Sequence, residues 1–172
     1  TLILMYNNIH FPIPQGVKTI VICPKASRDR SFLLRFFDSI TFIFEYNKII
    51  KKEKITHAVS FLAFPNLLNG IISKLNPSLK TYISERGFPT DNTTHKISFY
   101  ISKIFYPLLY NRCDKLFSNS TYINDDLKNN FGIKIPMEVI YNPIESPKKI
   151  IDPESMGEYK SGLKVITVGT LN

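Results

Sequence analysis

The stretch "HAVSFLAFPNLLNGIISKLNPSLKTYISERGFP", His57 to Pro89, decides the fold. Its apolar opening, His57 to about Leu62, reads as a strand. Pro65 suits the first turn of a helix reaching about Leu75, because the N–H that proline lacks has no intrahelical partner there. "LKTYISE" reads as a strand again. Strand, helix and strand in succession make a crossover unit of a parallel sheet.

The same alternation extends outward in both directions. Toward the N-terminus, Leu2–Met5 and Lys18–Ile22 read as strands around the loop "HFPIPQG". Ser31 then precedes a helix of about twenty residues, a length read from its three- and four-residue spacing. Its apolar face is Leu33, Phe36, Phe37, Ile40 and Ile43 or Phe44, and its polar face Asp38, Thr41, Glu45, Lys48 and Lys52. Toward the C-terminus, "RGFPTDN" is a loop, and Thr94 to Tyr110 a helix that Pro107 kinks or ends. "DKLFSNS" is a strand running into a turn, Thr121 to Asn130 a helix with Gly132 as its cap, and "MEVIYNPI" a strand and turn. Ile144 to Gly162 is polar and Pro-containing, a linker, and "LKVITVG" is a last strand. The expected class is α/β, a Rossmann-like parallel sheet with helices on both faces.

Composition fits a globular chain. Of 172 residues, 44% are hydrophobic, too many for disorder, and 13 Phe with 9 Tyr predict an aromatic core. Cys23 and Cys113 form no C-x-x-C pair and are too few for a disulfide scaffold, which fits a reduced, cytoplasmic setting. No signal peptide is recognisable. The longest apolar stretch, Phe32 to Ile50, carries Arg35, Asp38, Glu45 and Lys48, which argues against a membrane span. The formal net charge of +8 fits an anionic partner or a phosphate-bearing substrate, and equally a lysine-rich proteome. The aromatics follow core periodicity and do not interleave with basic residues on one face, so nucleic acid is not expected as a partner.

Parallel sheets bind ligands beyond the carboxyl ends of their strands. That rule selects Phe64 and Asn66, Ser84 to Arg86, Ser118 to Ser120, Asn142, and Gly169 with Thr170. Ser84, Glu85 and Arg86 are the richest set. A guanidinium fork donates and a carboxylate accepts, which suits polyhydroxylated or phosphorylated ligands. The plain alternative is a Glu–Arg pair on a solvated loop. Asn142 before Pro143 is turn chemistry, or the floor of a cleft between domains. Backbone N–H groups at Gly169 and Thr170 offer a weak anion site. The three histidines have no partner at metal-ligand spacing, and no G-x-G-x-x-G, P-loop or G-x-S-x-G is present, so no metal and no cofactor are expected.

The order of the pieces resembles the retaining glycosyltransferases of family four, which have the GT-B architecture. "AVSFL", "YISERGFP", "YPLLYNRCDKLFSNST", "VIYNPI" and "VITVGTLN" follow one another as that family's strand, S-E-R loop, helix and strand, domain-closing N-P turn and second-domain strand do. The likeness covers about Ile55 to Asn172. It implies that residues 1–143 are most of an acceptor-side domain, 144–162 an interdomain linker, and 163–172 the first strand of a donor-binding domain. Further strands would precede Thr1 and follow Asn172, and this piece alone would be inactive. The implied activity is transfer of a sugar from a nucleotide-diphosphate sugar to a glycan or lipid-linked acceptor, with retention, in cell-surface polysaccharide synthesis such as capsule or lipopolysaccharide. Asn66, Ser84, Glu85 and Arg86 would bind acceptor. Ser120, Asn142 and Pro143 would line the hinge and cleft. Gly169 and Thr170 would approach the donor phosphates, although Thr170 stands where many members carry Arg. His57 likewise stands where Asp is common. Peripheral contact with an anionic membrane, at its cytoplasmic face, is also implied. The other readings are a nucleotide-sugar 2-epimerase-like GT-B enzyme and a basic binding module.

Overall fold

The computed structural model describes residues 1–7, 9, 12–23, 31–91 and 96–143. The chain divides into two compact units, Thr1–Tyr141 and Asn142–Asn172. The first is described here. The expected linker, the last strand, Gly169 and Thr170 lie outside the described residues.

The described residues form, in order, β1 (Leu2–Leu4), β2 (Thr19–Val21), α1 (Phe32–Lys52), β3 (His57–Phe61), α2 (Ala63–Leu75), β4 (Lys80–Glu85), α3 (Lys96–Tyr110), β5 (Lys115–Ser118), α4 (Thr121–Phe131) and β6 (Met137–Val139). β3, β4, β5 and β6 pair in that order, all parallel, so their carboxyl ends share one rim. This is the expected Rossmann-like α/β arrangement. β1 and β2 form a separate parallel pair. It is tied to the end of α1 by the Lys18–Glu53 ion pair at 2.8 Å.

The helices touch in sequence order, α1 on α2, α2 on α3 and α3 on α4. This is the row that same-handed crossovers produce when each new strand is added on the same side. Strand residues alternate between faces. Ala58, Thr81, Ile83 and Leu116 point under the helices and are buried. His57, Val59, Phe61, Tyr82 and Phe117 point the other way. There the rings of His57, Tyr82 and Phe117 form a row, 6.2 Å between successive centroids. Val59 and Phe61 stay exposed. Among the described residues this second face carries no helix, although helices were expected on both.

The main core gathers Ile83, Leu116, Tyr110, Ile123, Leu127 and Phe131, and a smaller one Ile50, Ala58, Ile72 and Leu79. Each large apolar side chain fully buried in them contributes about 1.5–3 kcal/mol. α2 and α3 approach closely at Gly70, where a Cβ would lie 2.5 Å from the Leu109 carbonyl oxygen. α3 runs through Pro107 for three more residues and does not end there. α4 is bounded by its chemistry. The Ser120 hydroxyl accepts from the Tyr122 N–H at 3.2 Å, and Gly132 takes the left-handed cap at φ 64°.

One helix face differs from expectation. Among the described side chains of α1, Phe42 and Ile50 are buried, and Ile43 and Tyr46 pack partly buried against the core that holds Ile50. Phe36, Phe37 and Phe44 are 53%, 61% and 69% exposed. α1 is apolar on two stripes, and the stripe that includes Phe42, Tyr46 and Ile50 is turned inward, where Tyr46 reaches Asn69 of α2 and Ile50 joins the core of Ile72 and Ala58.

Candidate functional site

The rim at the carboxyl ends of β3–β6 begins with strained backbone. Leu62, between β3 and α2, has φ 72° and ψ 158°, a conformation that L side chains rarely adopt. It is held there because its N–H, like the Asn66 side-chain amide, donates to the Ser84 carbonyl, both at 3.0 Å. Asn66 is fully buried in the first turn of α2, and its Oδ1 accepts from the Ser60 hydroxyl at 2.8 Å. Asn66 therefore locks β3, α2 and β4 together and does not face solvent. The expectation that it contacts a ligand is corrected on that ground.

The S-E-R triplet is split by the pleat. Ser84 and Arg86 lie on the open face of β4, and Glu85 lies under the helices. Arg86 Nε donates to Ser84 Oγ at 3.0 Å, and Nη1 donates to the Ile140 carbonyl at 3.3 Å. Its Cζ sits 6.0 Å from the Phe61 ring centroid. The guanidinium thus spans the rim from β3 past β5 to the end of β6. It is half-buried, the accessible member of the triplet. Ser84 is 1% exposed and orients Arg86.

Glu85 is 2% exposed, and its Oε2 accepts from the Tyr110 hydroxyl at 3.0 Å. It makes no pair with Arg86, so neither the solvated ion pair nor direct acceptor contact describes it. Burial pushes its carboxyl above the usual range, against the opposing pull of the Tyr110 hydroxyl, the Arg86 and Gly87 backbone N–H groups and Asn66. The same burial, together with the nearby carboxylate, pushes Tyr110 upward.

A second buried carboxylate anchors the far end of the loop after β4. Asp126 of α4 accepts from the Thr90 N–H at 3.0 Å and the Thr90 hydroxyl at 2.6 Å. Pro89 is buried between these anchors and Phe88 is exposed. Beyond β5, the Ser118 hydroxyl donates to the Ser120 carbonyl at 2.9 Å, and the Ser120 side chain is occupied as the cap of α4. Ser120 itself stays half-exposed. Asn119 follows the last residue of β5, and its Oδ1 is buried with no hydrogen-bond partner among the described residues. Asn142 and Pro143 are exposed at the boundary between the two units.

The sequence reading missed Tyr110 and Asp126; Asn119 fell within its Ser118 to Ser120 set. The period-two alternation of "TYISE" already puts Glu85 on the side of Ile83, and that signal was available. Tyr110 and Asp126 reach the rim from helices distant in sequence, and no local pattern announces them. Among the described residues no cluster of His, Cys, Asp or Glu could hold a metal ion. Arranged this way, the rim can bind by hydrogen bonding and stacking. Arg86 donates, and Phe61 and Phe88 offer aromatic surface.

No model of a known protein family matches the chain, and no curated protein matches it.

Proposed function

We propose that the chain is the acceptor-side part of a retaining, GT-B-type glycosyltransferase that uses a nucleotide-diphosphate sugar as donor and a glycan or lipid-linked acceptor. The observation that carries this reading is the rim. One guanidinium, set among aromatic rings at the carboxyl ends of four parallel strands, belongs to the very loop whose sequence resembles the family's acceptor loop. Arg86 donates to acceptor hydroxyls, and Phe61 and Phe88 supply apolar surface to a sugar ring. Asn142 and Pro143 serve as the hinge that links this part to a donor-binding part. Closure of two domains then orients both substrates and excludes water.

The test is transfer from a panel of nucleotide-diphosphate sugars to glycan and lipid-linked acceptors by the protein that carries this chain. The product anomer is read by NMR. Transfer with retention is expected, along with no turnover by residues 1–172 alone. Inverted products, or no transfer with any donor, overturn the reading.

A lipid-linked acceptor places the enzyme at a membrane surface, and the exposed phenylalanines of α1 favour that partner. Tyr100, Ile101, Ile104, Phe105 and Leu108 form a second exposed stripe on α3, a helix whose only charges are lysines. No described helix is long and apolar enough to cross a membrane, so contact would be peripheral.

A further inference from the structure

Where β3 passes into α2, the chain exposes three large apolar side chains in four residues: Phe61, Leu62 and Phe64. Leu62 is the costliest of them. Its φ of 72° with ψ 158° belongs to a region that glycine enters freely and an L side chain does not. The surroundings impose that conformation from both sides. The Leu62 N–H donates to the Ser84 carbonyl, and the Leu62 carbonyl accepts from the Asn66 N–H, both at 3.0 Å. The Asn66 side-chain amide closes the ring by donating to the same Ser84 carbonyl. None of these bonds uses the leucine side chain, so glycine would keep all of them and lose the strain. Burial does not account for the leucine either, because the residue is 58% exposed. A strained backbone beneath an exposed apolar side chain is thus left without an explanation in folding. Strain of this kind collects at ligand clamps.

Ser84 connects Leu62 to the guanidinium. Its carbonyl holds the Leu62 N–H, and its hydroxyl accepts from Arg86 Nε at 3.0 Å. Arg86 Cζ lies 6.0 Å from the centroid of the Phe61 ring. One part of the rim therefore offers hydrogen-bond donors, and the adjoining part an apolar ledge of Phe61, Leu62 and Phe64. A ligand that matches both is an amphiphile, with hydroxyls beside Arg86 and an aliphatic body beyond them. We propose that Leu62 is a specificity-determining contact of the rim, held in strain so that its side chain meets the aliphatic part of a sugar-bearing amphiphile. A free glycan has no such part, so the ledge selects the lipid-linked class of acceptor. The sugar half of this inference rests on the acceptor-site reading; the apolar contact does not.

The experiment is methyl NMR on the 172-residue chain, with methyl, butyl and hexyl β-glucosides as probes. The Leu62 methyls should shift, and affinity should rise about two- to four-fold per added methylene, the upper figure being the worth of full burial. The exposed Ile101 and Ile104 methyls of α3 should stay still. Leu62→Ala should flatten the series. A series that is flat in the wild type, or as steep in Leu62→Ala, or that shifts α3 equally, overturns the proposal. Leu62 methyl shifts that follow protein concentration overturn it too, since a second copy would then cover the ledge. Urea unfolding reads the strain separately. Leu62→Gly should shift the folding equilibrium about five-fold toward the native state, because relief of the strain exceeds the entropic cost of glycine. A Leu62→Gly variant no more stable than the wild type means that the leucine serves packing, and overturns the proposal. In the transferring protein, Leu62→Ala should raise KM for a lipid-linked acceptor several-fold and leave KM for a glycan acceptor unchanged, whereas equal rises overturn the selection. Absence of any transfer would remove the acceptor-site reading and leave the glucoside series standing.

Discussion

Burial of Glu85 at the end of β4 makes this carboxylate a source of unusual pH dependence. Its folded proton affinity is raised above the ordinary value of about 4.3. Between that value and the raised one, the folded chain binds more protons than the unfolded chain. The Glu85 contribution to stability is therefore fully present below the ordinary value and falls as pH rises through the raised one. Asp114 works in the opposite sense. Desolvation pulls it up, but the Thr81 N–H and the Lys80 ion pair at 2.9 Å outweigh that and hold it low, so its contribution is lost as pH falls. The difference between wild type and Glu85→Gln isolates the first term. Urea unfolding across pH 4 to pH 8, roughly the span in which a raised carboxyl titrates, should show the variant gaining on the wild type as pH rises. A constant difference would show that Glu85 keeps its ordinary affinity. Arg86 is a separate case. Arg86→Ala removes two partly exposed hydrogen bonds and should cost about 1 kcal/mol of stability. In the transferring protein it should lower kcat/KM for acceptor by about ten-fold or more, since the lost bonds are charge-assisted. Normal turnover per folded molecule would assign Arg86 to the fold alone.

Helices and strands are set by local chemistry at their ends and by close approach in their middles. At Gly70 the packing of α2 on α3 leaves no room for a methyl group, because the obstructing atoms are the backbone carbonyl and Cβ of Leu109. Gly70→Ala should destabilise by about 1–3 kcal/mol, the usual cost of overpacking, and thermal or urea unfolding would show it; an unchanged midpoint would mean the two helices separate freely. Gly70 drew no notice in the sequence because a lone glycine in a helical pattern carries no mark of its neighbour. The element order, by contrast, was legible. Pro65 and Gly132 punctuate α2 and α4 where turn and cap chemistry place them. The faces were less so. α1 carries phenylalanine on both stripes, so periodicity alone could not say that Phe42, and not Phe36 or Phe37, is buried. At the rim, grouping Glu85 with Arg86 at one strand end ignored the pleat, which sends them to opposite faces. Tyr110 was invisible because a contact between residues 25 apart depends on how α3 lies over β4.

Taken as a whole, the molecule places its exposed apolar groups unevenly. Phe37 and Phe44 of α1 continue at helical spacing into the exposed Lys48 and Lys51. On α3 the exposed stripe has Lys103 beside it, over the Phe99 ring at 4.9 Å, and no acidic residue. With a net charge of +8 for the chain, this surface suits an anionic leaflet better than a neutral one. Each basic residue near such a surface contributes about 1 kcal/mol, and the attraction decays within a Debye length of about 8 Å at physiological salt. The rings add a salt-independent part by settling among the headgroups. The two parts separate in one measurement. Sedimentation with vesicles of anionic or neutral lipid, at low and high salt, should show binding to anionic vesicles that salt weakens without abolishing. Phe37→Ser with Phe44→Ser should remove the salt-resistant remainder and leave the salt-sensitive part. Binding that salt abolishes even in the wild type would mean that charge alone draws the chain to the surface. Negligible binding to both vesicle types would sink the membrane proposal, and the apolar stripes would then require a protein surface to cover them.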